Sequence, residues 1–176
     1  MTREQLCLSG NILANLPYYF TFYIVNFANM QPIQVNIVNI SSNALPAYAT
    51  AQSAGMDIRA NLSQPVILKP LERQLITTGL FIELPENYEA QIRPRSGLAI
   101  NQGITCLNAP GTVDADYRGE LKVILINLSN TQQIINHGDR IAQMIIAKVE
   151  KAHLIEVNEL NESVRGQGGF GHTGTK

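Results

Sequence analysis

The chain has no tryptophan, two cysteines and only 15% charged residues among its 176 positions. Cys7 and Cys106 are too few and too far apart to suggest a disulfide framework or a thiolate metal site, so a reducing compartment, the cytoplasm, is expected. Lysine and arginine number 13 against 14 aspartates and glutamates, a net charge of −1. That balance offers no broad basic face for a nucleic-acid backbone, and no nucleic-acid partner is expected. The three histidines, His137, His153 and His172, lack metal-ligand spacing, and no serine or cysteine has a convincing partner for nucleophilic catalysis. Hydrolysis by activated water remains as the natural chemistry. With 45% hydrophobic residues the chain reads as one globular domain.

The aromatic residues are few and unevenly placed. Six of them fall in "LPYYFTFYIVNFA", Leu16 to Ala28. This run is shorter than the ~20 residues of a membrane helix, and Arg3 offset by Glu4 is a poor start for a secretory signal, so no membrane partner is expected. Met30 opens a stretch that reads well from its first residues. Residues 1–29 are therefore expected to be an extension outside the domain, with an added helix or strand as the alternative.

From Gln31 onward come short β-branched segments separated by turn residues: "IQVNIVNI", "PVILK", "RQLITTGLFIEL", "YEAQIRP", "GITC", "LKVILINLS" and "QQIINHGDRIAQMIIAKVEKAHLIEV". Ile33, Val35 and Ile37 alternate with polar residues, Val123, Leu125 and Asn127 fall at alternate positions of another segment, and prolines punctuate the rest. The pattern predicts an all-β fold, a sandwich or jelly roll. One short helix is expected at "SGLAINQG", with Ser96 as N-cap and Gly103 after the C-terminus. Its free backbone N–H groups, beside Arg93 and Arg95, would suit a phosphate; an ordinary capped turn is the plainer alternative.

Three polar stretches could carry chemistry. "NAPGTVDADYRGEL" reads as a hairpin presenting Asp114 and Tyr117 near its tip, and "SAGMDIRA" and "HGDRIAQMI" place Asp57 and Asp139 beside apolar alternation. Carboxylates without histidine or cysteine neighbours suit a hard cation such as magnesium. The chain then ends in "VRGQGGFGHTGTK", which holds five of the 13 glycines and little to bury, so it is expected to be mobile when empty.

Five segments in this order, "AGMDIRA", "RPRSGLA", "GTVDADYRGEL", "GDRIAQMI" and "RGQGGFGHTG", resemble the five motifs of the trimeric deoxyuridine triphosphate nucleotidohydrolases (dUTPases). The resemblance implies a jelly-roll-like distorted β-barrel over residues 30–158, a mobile arm over 159–176, and a homotrimer with shared active sites. It implies hydrolysis of dUTP to dUMP and pyrophosphate with Mg2+, which limits uracil incorporation into DNA and supplies dUMP for thymidylate synthesis. Asp114 would then be the general base. Arg95, Ser96 and Gly97 would bind phosphate, and Asp57, through water, and Gln143 would meet the hydration shell of magnesium. Asn108 with the backbone of Gly111, Thr112 and Val113 would read uracil, Tyr117 would lie against the deoxyribose, and Lys122 matches a position near the nucleotide. In the arm, Phe170 would stack on uracil while Arg165 and Thr173 hold the γ-phosphate. Asp139 and Arg140 would either dock the arm or brace a strand. His172 and Met56 depart from the residues commonest in the family. Competing readings are a dCTP deaminase, which shares the fold but needs a glutamate acting on the base, a nucleotide sensor without turnover, and a structural β module.

Overall fold

The structure, a computed structural model, describes residues 32–169. Residues 1–29, Phe170, His172 and Thr173 lie outside them. Among the described residues ten strands and one helix follow in chain order: β1 (Asn36–Asn39), β2 (Met56–Arg59), β3 (Val66–Leu68), β4 (Arg73–Glu83), β5 (Tyr88–Arg93), α1 (Ser96–Gln102), β6 (Ile104–Cys106), β7 (Gly111–Val113), β8 (Leu121–Asn127), β9 (Gln133–Ile135) and β10 (Arg140–Lys148). They form two four-stranded sheets, in the orders β1-β4-β8-β6 and β2-β10-β5-β7, and a small β3-β9 pair. All the pairings are antiparallel. The fold is thus all-β and jelly-roll-like, with open sheet edges rather than a closed ring.

Alternation decides which side chains enter the core. On β8, Leu121, Val123, Leu125 and Asn127 are buried and the residues between them are not, and Ile58, Ile76, Ile92 and Met144 come from the other strands to meet them. Truncating a large aliphatic side chain in such a core costs about 2–5 kcal/mol. Asn127 is the polar exception. Its Nδ2 donates to Leu68 O and Thr131 O, and its Oδ1 accepts from Ser129 N and Oγ, so a fully buried amide is satisfied.

Two positions require glycine. Gly79 has φ +71 at a register shift in β4 between Thr77 and Leu80, and a Cβ there would come within 2.9 Å of Asn61 Nδ2 and Ser41 Cβ. Gly103, with φ +65, ends α1 in the left-handed conformation and donates its N–H to Ala99 O, as expected from the sequence.

Two expectations need correction. The N-cap of α1 is Arg95, extended at φ −94 and ψ 127 with no side-chain cap, and Ser96 is the first helical residue. The last predicted strand is also shorter. Asp139 accepts the Asn136 N–H at 2.7 Å and closes a turn between β9 and β10, and no strand follows Lys148 among the described residues. Residues 150–162 are nearly all exposed, with Leu154 at 89% and Leu160 at 88%, because the apolar alternation there finds no neighbouring strand among the described residues.

Candidate active site

The expected site residues fall into two groups, at opposite edges of the β2-β10-β5-β7 sheet. The first is centred on Asp57 in β2. The register aligns Asp57 with Gln143 in β10 and Gln143 with Arg93 in β5, on the face opposite buried Ile58. Arg95 follows β5 directly, and its Nε donates to Asp57 Oδ1 at 3.0 Å while its Nη1 donates to Arg140 O at 3.0 Å. Arg140 Nη1 donates to Asp57 Oδ2 at 3.1 Å, and Gln143 Nε2 reaches Oδ1 at 3.5 Å. One carboxylate therefore holds two guanidinium groups in place. With Asp57 and Arg95 only 22% and 23% exposed, their contact stabilises by about 1 kcal/mol after partial solvation is allowed for. Arg140 is thereby tied to β2 through Asp57.

Arg95 also begins α1, whose first N–H groups have no side-chain cap. A Cβ added at Gly97 would meet nothing within 4 Å. Packing within the chain does not demand a glycine there.

The second group lies on β7, on β8 in the other sheet and on the loop between them; the hairpin expected for this stretch is not formed, because β7 pairs with β5 while β8 pairs with β4 and β6. Gly111, Thr112 and Val113 pair with Ile92, Gln91 and Ala90, and β7 is the edge of its sheet. The backbone groups on its outer side have no ladder partner. Beside this edge is a cleft of about 590 Å³ lined by Asn108, Thr112, Asp114, Tyr117 and Lys122, with Leu75 among its apolar walls. Asp114 is exposed, and among the described residues no side chain donates to its carboxylate. Asn108 Nδ2 would sit 3.0 Å from a Cβ at Gly111, so glycine lets the amide lie against β7.

Arg118 and Glu120 hold the loop and were not singled out from the sequence. Arg118 donates to Ala115 O, Tyr117 O and Glu83 Oε1, and Glu120 accepts the Thr78 and Gly79 N–H groups. Asn36 and Arg118 hold the Glu83 carboxyl below its ordinary range, the Asn36 hydrogen bond contributing most. No local signal marks these roles, because they depend on where β4 passes.

The two groups do not meet within one chain. β2 and β7 are opposite edges of the four-stranded sheet, three strand spacings or about 14 Å apart, and none of the residues around Asp57 lines the Asp114 cleft. Arg165 joins neither group; its Nε donates to Gly168 O at 2.7 Å.

Other chemistries find little support in the described residues. Burial pushes the Cys106 thiol up to about 11, far from a reactive thiolate. No group of three or more His, Cys, Asp or Glu that could hold a metal ion is found among the described residues. The donors available are oxygens, two of them on Asp57 and already taking arginine N–H groups. That set fits magnesium carried by a ligand's phosphates and waters, and not a cation caged by protein. No helix among the described residues is long and apolar enough to cross a membrane.

An open β-sheet edge with a free carboxylate beside it, and a charged cluster at the other edge, define a jelly-roll-like β protein with a divided polar site. Comparison with known proteins is specific: residues 41–174 match the dUTPase family. The chain is 63% identical over 150 residues to the deoxyuridine 5'-triphosphate nucleotidohydrolase of Cytophaga hutchinsonii, covering 85% of this chain and 97% of that one. It is 54% identical over 145 residues to the enzyme of the same name from Fusobacterium nucleatum, covering 82% and 99%. A solved dUTPase of Staphylococcus bacteriophage 80alpha with dUPNHPP shares the fold at a TM-score of 0.71 and 25% identity, over 81% of this chain and 99% of that one. The chain belongs to the dUTPase family, and is an enzyme of the nucleotide-hydrolase class.

Proposed function

We propose that the chain hydrolyses dUTP to dUMP and pyrophosphate by water attack at the α-phosphorus, in the cytoplasm, limiting uracil in DNA and supplying dUMP. The observation that carries this reading is the Asp114 carboxylate, free of partners among the described residues and beside the open edge of β7. Uracil's alternating donor and acceptor edge suits the free backbone groups of Gly111 to Val113 and the Asn108 amide. Cytosine would leave groups unpaired, which can cost ~10⁴ to 10⁵ in discrimination. Tyr117 walls the sugar side and Lys122 adds positive charge nearby.

Asp114 acts as general base and orients the attacking water, a role that typically contributes ~10² to 10⁴ in rate. Arg95, Ser96 and Gly97 take the phosphates, with Arg95 aimed by Asp57. Magnesium, when bound, neutralises charge developing on the phosphates. Asp57 and Gln143 would meet its hydration shell through water.

The separation of the two groups across the sheet supports sites assembled between copies, and a homotrimer closes such an arrangement. The domain would span residues 30–158, with 1–29 outside it. The arm of residues 159–176, able to span roughly 60 Å when extended, would then close over the nucleotide with Arg165, Phe170 and Thr173. The test is pyrophosphate release with magnesium from dUTP, dCTP, dTTP and UTP. Release from dUTP alone, reduced by ~10² or more in Asp114→Asn, is expected. Binding of dUTP without turnover would replace an enzyme with a sensor.

A further inference from the structure

Tyr117 walls the cleft from an exposed loop and is itself 45% exposed. A ring so placed keeps one orientation only if something outside the loop fixes it. Its Oη donates to the carbonyl of Glu120 at 3.1 Å, and the ring lies over Gly119 so closely that a Cβ there would be 2.3 Å from Oη. Glu120 is in turn anchored to β4. Its Oε1 accepts the Thr78 N–H at 3.1 Å and the Gly79 N–H at 2.9 Å, the two residues at the register shift where the ladder to β8 is interrupted. The bulge that receives it is firm. Thr78 is buried, its hydroxyl donates to Leu121 O, and the hydroxyl oxygen accepts the Leu80 N–H at 3.2 Å. The second carboxylate oxygen of Glu120 stands 3.5 Å from Lys122 Nζ.

We propose that Glu120 is a positioning residue for substrate selection: it clamps the loop between β7 and β8 to the β4 bulge and so fixes the wall that Tyr117 presents to the sugar. The proposal rests on reading the cleft as the seat of a 2'-deoxynucleotide. A fixed ring excludes a ribose 2'-hydroxyl by collision, whereas a ring free to retreat admits it. Loss of the clamp leaves Asp114 and the β7 edge in place. Its signature is therefore lost selectivity and not simply lost rate.

The experiment measures kcat and KM for dUTP and UTP in the full chain and in E120A, E120D, E120Q, Y117A and the E120A/Y117A double variant. In E120A the UTP-to-dUTP ratio of kcat/KM should rise about tenfold or more, while kcat on dUTP falls less than about threefold. E120D, one methylene short of the bulge amides, should behave likewise, and E120Q, which keeps the accepting oxygen, should return the ratio toward that of the parent. The double variant should be no less selective than Y117A, because Glu120 acts through the ring. An unchanged ratio in E120A overturns the proposal, as does equal loss on both substrates; if E120A is insoluble, the same outcomes in E120D decide it. Should Y117A keep the parent's selectivity, or the parent fail to hydrolyse dUTP, the reading of the cleft is wrong and the clamp falls with it.

Discussion

Asp57 and Asp114 are chemically the same side chain in opposite conditions. Asp57 is partly buried, and both its oxygens are taken by Arg95 and Arg140. Asp114 is exposed, and no side chain among the described residues donates to it. A carboxylate that accepts from two guanidinium groups orients them, whereas one left open keeps its lone pairs free for another donor. The sheet keeps the two apart: β2 and β7 are its opposite edges. In the proposed function, orientation and proton transfer thus fall to separate places in one chain.

The comparison can be broken most severely by mixing variants. Arg95→Ala and Asp114→Asn should each be almost inactive alone. Co-refolded in equal amounts, they should recover about a quarter of parental dUTP hydrolysis if each site takes one group from each of two copies. No recovery would mean that both groups serve a site within a single chain. A smaller effect is expected at Gly97. Alanine there meets nothing within 4 Å and helps a helix, so Gly97→Ala should leave the thermal midpoint unchanged or slightly raised while KM for dUTP rises about tenfold. A lowered midpoint with unchanged KM would make the glycine structural.

The smallest effect concerns the loop's tether to Glu83. Its carboxyl is held below the ordinary value of 4.5, by Asn36 first and then Arg118. The folded pKa lies below the unfolded one, so the tether contributes fully above 4.5 and is lost as pH falls through the lowered value. Glu83→Gln should therefore melt slightly below the parent at neutral pH, with the difference vanishing in acid. A difference that persists at low pH would show that charge is not what holds the loop.

The sequence was informative where structure is set locally. The β-branched run "LKVILIN" marked a strand, and a glycine after a short apolar turn marked the end of α1. It misled where a partner was needed. "VEKAHLIEV" alternates like a strand, but a strand exists only where another edge accepts it, and local pattern carries no information about that edge. The motifs named Asp57, Arg95, Asp114 and Tyr117 as candidates for a site. They could not show that Asp57 and Asp114 stand at opposite edges, which follows from the strand order, nor that Glu120 reaches Thr78 and Gly79, which requires a bulge in a distant strand.

The bare aliphatic residues after β10 have a consequence for the life of the polypeptide before any catalysis. Leu154, Ile155 and Leu160 face water in a lone chain, and exposed apolar segments of this kind are what misassembly feeds on. Newly made copies would be most vulnerable in the interval before such residues are covered. Yield from the ribosome, rather than stability of the finished fold, is where substitutions in this stretch should first be felt.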